Sequence, residues 1–167
     1  MELTGGSSTL QKFISNYAKN MKRYQHRPLS HPVIILIDND NALTDLKGNL
    51  KRLFSIDVSL TSTEQFYHLT DNLYLIKTPE KGATGTSCIE DCFNEDLKVT
   101  QLDGKSFSPE KNIDPATQYG KGPFAEKVVI PKANEIVWEG FRPLLDRISA
   151  VIAHYVPPAS ATLAKAA

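Results

Sequence analysis

His31-Pro32-Val33-Ile34-Ile35-Leu36-Ile37-Asp38-Asn39-Asp40 is the stretch on which the reading of the whole chain depends. Val33 to Ile37 form an unbroken run of branched apolar residues between a proline and a polar cluster, which predicts a strand covered on both faces, as in a parallel sheet. Ionised Asp38 and Asp40 cannot lie in the middle of such a strand. They must emerge at its carboxyl end, where open α/β sheets bind their ligands. In extended chain, residues i and i+2 project to the same side with α-carbons roughly 6.5 to 7 Å apart, so both carboxylates can reach one hard cation.

Outward from this stretch, the elements alternate. Leu43, Leu46, Leu50, Leu53 and Phe54 recur at helical spacing after Asp40, so the strand feeds a helix in βα fashion, with Gly48 a weak point in its middle. Upstream, Leu10, Phe13, Ile14, Tyr17 and Met21 predict an amphipathic helix after the flexible opening Gly5-Gly6-Ser7-Ser8. Its other face carries Lys12, Lys19, Lys22 and Arg23, most simply a solvated face, although a basic run can also contact phosphates. Arg27 to Pro32 reads as a loop.

Downstream, Phe66-Tyr67-His68-Leu69 and Leu73-Tyr74-Leu75-Ile76-Lys77 are β-prone runs separated by Thr70-Asp71-Asn72, which predicts a hairpin or two strands of one sheet. A loop with Pro79, Gly82 and Gly85 then opens into Cys88-Ile89-Glu90-Asp91-Cys92-Phe93, one or two helical turns. Asn94 to Gly122 reads as a β-hairpin or irregular excursion around Asp103-Gly104-Lys105. Phe124 to Val129 predicts a short helix ended by Pro131, and Phe141 to Tyr155 a final amphipathic helix stopped at Pro157-Pro158. Residues 1–156 are therefore expected to form a single α/β domain, and 157–167 a disordered tail or appended segment.

Composition limits the classes open to the chain. Its 167 residues, 41% of them hydrophobic, suffice for one ordinary core. Lys plus Arg and Asp plus Glu both number 19, so no global charge identifies a partner. No apolar run is long enough to span a bilayer and the amino terminus lacks a signal-peptide pattern, so the expected location is cytoplasmic, with no membrane partner. The two cysteines, Cys88 and Cys92, are too few for a disulfide framework and are expected to be reduced packing residues.

Magnesium or manganese suits Asp38 and Asp40, because magnesium keeps several waters and uses one or two carboxylates together with substrate phosphates. The alternative is local: Asp38 ends the strand while Asp40 or Asn41 caps the next helix, and both readings can hold together. Glu90 and Asp91 are the second acidic pair after a strand, with an exposed helical first turn as their simpler explanation. His26, His31, His68 and His154 show no metal-ligand spacing, His68, inside a predicted strand, reads as structural, and neither Ser7 nor Ser8 has a base to activate it.

Val33 to Asp40 resembles the DxD strand of a Toprim domain, the fold shared by topoisomerases, primases and certain nucleases. More narrowly, His31 to Asp40, Phe66 to Thr70, Asn72-Leu73-Tyr74, Ile89 to Phe93, Gly104 to Phe107 and Phe124 to Val129 together resemble the C-terminal extension of a retron-type reverse transcriptase, over Gly5 to Tyr155. The resemblance implies a Toprim-like, Rossmann-like, mainly parallel sheet flanked by helices. It further implies an RNA-directed DNA polymerase half upstream in the same polypeptide, a nucleic-acid partner (retron RNA, its single-stranded DNA, or a target) and a role in antiviral defence. This chain has no YxDD motif, so it is not expected to copy RNA itself.

By the same resemblance Asp38 and Asp40 would hold Mg2+ or Mn2+. Glu90 would match the later acid of Toprim nucleases of the overcoming-lysogenization-defect type, with Asp91 its neighbour, giving Asp38, Asp40 and Glu90 as catalytic candidates. Gly5 and Gly6 fall at the family's glycine-rich turn. The Toprim pattern also has a glutamate after an earlier strand. No such strand precedes Asp38, and Glu2 is a poor substitute, so the N-terminal part of the fold is expected to lie upstream or the domain to be degenerate. The leading expectation is a metal-dependent domain that binds or cleaves nucleic-acid phosphodiesters. The alternatives are a non-catalytic nucleic-acid or protein interaction module of a retron complex, and a DxD-dependent sugar-nucleotide transferase.

Overall fold

The chain is described by a computed structural model covering residues 7–21, 23 and 29–157. The expectations for Gly5-Gly6, Lys22, His26, Arg27-Pro28 and the tail from Pro158 fall outside these residues. The structure is α/β and divides into two compact units, one running to Ser87 and resuming at Leu144, the other spanning Cys88–Pro143.

In the first unit, α1 (Ser7–Met21) precedes β1 (Val33–Ile37), α2 (Asn41–Phe54), β2 (Tyr67–Thr70) and β3 (Leu73–Lys77). The strand order is β1-β3-β2, with β1 parallel to β3 and β2 antiparallel to it. Ile37 stands opposite Lys77, so both strands of the parallel pair end at the same level. The pairing of β2 with β3 realises the expected hairpin; Asp71, at φ 45°, lies in its two-residue turn.

Strand alternation sorts the side chains. Ile35 and Ile37 of β1, Leu73 and Leu75 of β3, and Tyr67 and Leu69 of β2 join Leu43, Leu46 and Leu50 of α2 and Ile14 of α1 in one buried cluster. A fully buried leucine contributes about 2 kcal/mol, so this cluster is the main source of the unit's stability. Gly48 lies on the outer side of α2 with open space around it, which is why the helix runs through it.

One expectation needs correcting. β1 is an edge strand and its Leu36 is 41% exposed, so it is not covered on both faces. The strand buried along its whole length is β3, which lies in the middle of the sheet. Helix α5 (Arg142–His154) belongs to this unit from Leu144 onward, where Leu144 and Val151 are buried. Its His154 Nδ1 is hydrogen-bonded to the Tyr74 hydroxyl of β3 at 2.9 Å, and His68 stacks on the same ring at 4.7 Å. His68 is exposed on β2, and its role there is structural: it stacks on Tyr74 and bonds the Asp71 carbonyl at 2.9 Å.

The second unit has little regular structure. A 3-10 turn (Ile89–Cys92) and α3 (Glu95–Lys98) are followed by β4 (Ser106–Phe107) and β5 (Gln118–Tyr119). The helical turn α4 (Lys121–Phe124) leads into a π-helical segment (Ala125–Val129), and a 3-10 turn (Trp138–Phe141) closes the unit. β4 and β5 pair in parallel, so residues 94–122 are an irregular excursion and these two strands do not form a hairpin. A tight reversal lies at Asp103-Gly104, both at positive φ, between Leu102 and Lys105. Leu97, Tyr119, Phe124 and Val128 form a small core whose centre is the Phe107–Phe124 stack at 4.2 Å. Among the described residues no helix is long and apolar enough to cross a membrane.

Candidate functional site at the carboxyl ends of β1 and β3

Beyond Ile37 the chain stays extended long enough to alternate once more. Asn39 turns inward and is fully buried, while Asp38 and Asp40 on either side of it remain partly exposed. Asp38 and Asp40 thus take the alternate backbone positions to Asn39.

Every polar group of Asn39 is used. Its backbone N–H donates to Thr78 Oγ1 at 2.9 Å and its carbonyl accepts from Ser87 N at 3.0 Å. Its side-chain Nδ2 donates to Leu60 O at 2.7 Å and Gly85 O at 2.6 Å, and its Oδ1 accepts from Lys77 Nζ at 3.4 Å. Gly85, at φ 76°, lies so close to the Leu60 carbonyl that a β-carbon would collide with it.

Lys77 is the unexpected member of this group. It ends β3 with its side chain 1% exposed, and its ammonium donates to Ser59 O and Leu60 O, both at 2.9 Å, and pairs with Glu80 Oε1 at 2.8 Å. Arg147 of α5 closes the network: Nη2 grips both Glu80 oxygens at 3.0 and 2.8 Å, and Nη1 donates to the Lys77 and Thr78 carbonyls. Burial pushes the Lys77 ammonium below its ordinary pKa, partly offset by Glu80. Burial alone would raise the Glu80 carboxyl, but the Lys77 hydrogen bond, a backbone hydrogen bond and the Arg147 charge together hold it below the usual carboxylate range.

Asp40 has a definite local task. It is the N-cap of α2, and its Oδ1 accepts from Ala42 N at 2.8 Å, as the helix-capping alternative anticipated. A cap of this kind engages one carboxylate oxygen and leaves the other direction of the group open to a further ligand. Two carboxylates fit the share of a magnesium ion that a protein commonly supplies, the rest being water and substrate oxygen. Among the described residues no group of three or more His, Cys, Asp or Glu side chains is placed to share a metal. A metal here would therefore rest on Asp38 and Asp40 as a pair.

Glu90 and Asp91 belong to the second unit, in the 3-10 turn. Glu90 is buried with its Oε2 2.8 Å from Lys121 Nζ, and Asp91 lies 3.8 Å from Lys98 Nζ. Asp91 Oδ2 also accepts from the Cys88 backbone N–H at 2.9 Å and thiol at 3.4 Å, so it stabilises the start of the turn. Burial, a hydrogen bond with Glu90 and the charges of Asp91 and Glu90 push the Cys88 thiol up to about 12. Cys88 is thus a neutral donor at physiological pH, which agrees with its reading as a packing residue.

The sequence reading missed Asn39, Lys77, Glu80 and Arg147. A signal was available in Lys77: an ammonium ending a strand buried on both sides requires partners, and Glu80 stands three residues away. No family model matches the chain, and no solved structure matches it.

Proposed function

We propose that this chain is the Toprim-like part of a retron-type reverse transcriptase and that Asp38 and Asp40 bind Mg2+ or Mn2+ to engage nucleic-acid phosphodiesters. The observation that carries this reading is the inward lock on Asn39, which fixes the backbone between the two acids at the end of a strand parallel to its neighbour. The sequence resemblance supplies the family. A bound divalent ion would neutralise phosphate charge and polarise a phosphoryl oxygen. The contribution of the chain is orientation: β1 delivers the acids, and Asn39 with its partners keeps their spacing fixed.

The second reading, a non-catalytic interaction module, is favoured by one specific contact, the Asp40 cap. Titration of the whole chain with Mn2+, followed by electron paramagnetic resonance, separates the two. Asparagine caps a helix as well as aspartate does, so Asp40→Asn should keep the fold while removing a metal ligand. The metal reading expects saturable binding in the parent chain and a loss of about tenfold or more in Asp38→Asn and Asp40→Asn, at least what losing an outer-shell partner costs. Identical titrations for all three chains would leave the interaction module as the better account. If binding is carboxylate-dependent, magnesium-dependent cleavage of single- and double-stranded oligonucleotides then distinguishes catalysis from binding.

A further inference from the structure

Beside the capped end of α2 lies a depression of about 320 Å3 that the proposed metal function does not use. Its floor is aliphatic, formed by Leu43 and Val58, both almost fully buried. Its rim carries the hydroxyls of Thr44, Ser59, Thr61 and Thr84, together with Lys47. Small-molecule sites run from about 300 to 1,000 Å3, so this one admits a single small unit and excludes a helix.

The rim is assembled from segments distant in sequence, and the buried network holds them. Lys77 fixes the carbonyls of Ser59 and Leu60, while Asn39 bonds Leu60 and Gly85 at once, bringing the 59–61 segment against the 84–85 segment. Burying an ammonium is costly, and doing so to hold two loop carbonyls fixes the conformation of a rim that would otherwise have to be ordered when a ligand arrives. Thr44 Oγ1 in turn donates to the Asp40 carbonyl at 3.4 Å, so the depression starts within one helical turn of the acidic pair.

We propose that this depression is a binding site for one nucleotide unit, with Asn39 and Lys77 as the residues that position its rim. The aliphatic floor suits the flat face of a base, the hydroxyl rim suits ribose and phosphate oxygens, and Lys47 supplies the cation. In the free protein Lys47 is half-exposed and 3.2 Å from Asp57, a surface pairing weak enough for a phosphate to replace. The choice of a nucleotide rests on the function proposed above; the site itself does not depend on the metal.

The test is NMR titration of the whole chain in EDTA with AMP, adenosine and the dinucleotide dApdA. Saturable AMP binding is expected, with amide shifts centred on Thr44, Ser59, Leu60, Thr61 and Thr84. Thr44→Trp, at an exposed helical position where both residues have similar helix propensity, fills the depression and should abolish the shifts. Lys47→Met should weaken AMP by up to about fivefold, the value of an exposed ion pair, and leave adenosine unchanged. Tighter binding of dApdA than of AMP identifies a strand as the source of the nucleotide; the reverse identifies free nucleotide. Absence of saturable binding in EDTA, or binding indifferent to Thr44→Trp, overturns the site. Asp38→Asn should keep AMP binding; AMP binding together with an Mn2+ titration that Asp38→Asn leaves unchanged defeats the metal reading alone.

Discussion

Asp38-Asn39-Asp40 and Glu90-Asp91 are both acidic pairs following a strand, yet they are held by different means. In the first, the polar partners converge on the residue between the acids: Asn39 is bonded through its backbone and both ends of its side chain, and its neighbours stay at the surface. In the second, the partners meet the carboxylates themselves: Lys121 pairs with Glu90, and Asp91 accepts from the Cys88 N–H and lies 3.8 Å from Lys98, which it shares with Glu95. Fixing the residue between two acids sets the backbone that carries them, whereas the second pair is held through its own carboxylates. A site for a cation needs acids positioned by their backbone, and this difference ranks the two pairs where their composition does not.

The strongest way to break the comparison is to remove the cation beneath Asn39. Lys77→Met leaves Glu80, Ser59 O, Leu60 O and Asn39 Oδ1 short of a buried donor, and removing one partner of a buried pair typically costs about 3–5 kcal/mol. Urea unfolding should show a loss of about 3 kcal/mol, the lower end because Arg147 still holds Glu80. The same network sets an acid limb. Glu80 is depressed in the folded state, so the unfolded chain takes up its proton first as pH falls from the ordinary value of 4.5. The stabilisation is complete above that value and is lost as pH drops through the folded one, and thermal melts from pH 7 to pH 3 should trace it. In Lys77→Met the limb should move to higher pH, since the carboxylate has lost its hydrogen bond.

The second unit offers the counterpart. Its core has four buried apolar residues, against eleven in the main cluster of the first. Phe124→Ala removes the ring stacked on Phe107, and a buried phenylalanine truncated to alanine costs about 3–5 kcal/mol. With so small a core to share that loss, amide exchange should accelerate across 93–129 while the amides of β1 and β3 stay protected.

The legible parts of the sequence were those with a clear period. Val33 to Ile37, the leucines of α2, the β2–β3 pair and the closing helix all appear where their spacing placed them, because each buries one regular face. The Asp40 cap was legible for a local reason, since an aspartate before an apolar helical pattern has a backbone donor two residues on. What escaped was set by long-range pairing. Which strand becomes central depends on topology, so β3 took the buried position expected of β1. Arg147 meets Glu80 across 67 residues, a contact no local pattern encodes. Residues 94–122 have no period to read, and the two-residue parallel pair of β4 and β5 leaves no trace in composition.

The smallest expected effect sharpens the comparison most, because it separates the two tasks of one side chain. Asp40→Ala removes the acceptor for Ala42 N and should cost about 1 kcal/mol, the usual value of an N-cap. Asp40→Asn keeps an acceptor oxygen in the same place and should cost no more than a few tenths of a kcal/mol, since asparagine and aspartate cap equally well. A cap needs an oxygen, whereas a cation needs a charge. If Asp40 serves only the helix, thermal melts separate the two variants and Mn2+ titration does not. If it serves both, the melts separate them while the titration shows both defective, and stability and metal affinity then report on different oxygens of one carboxylate.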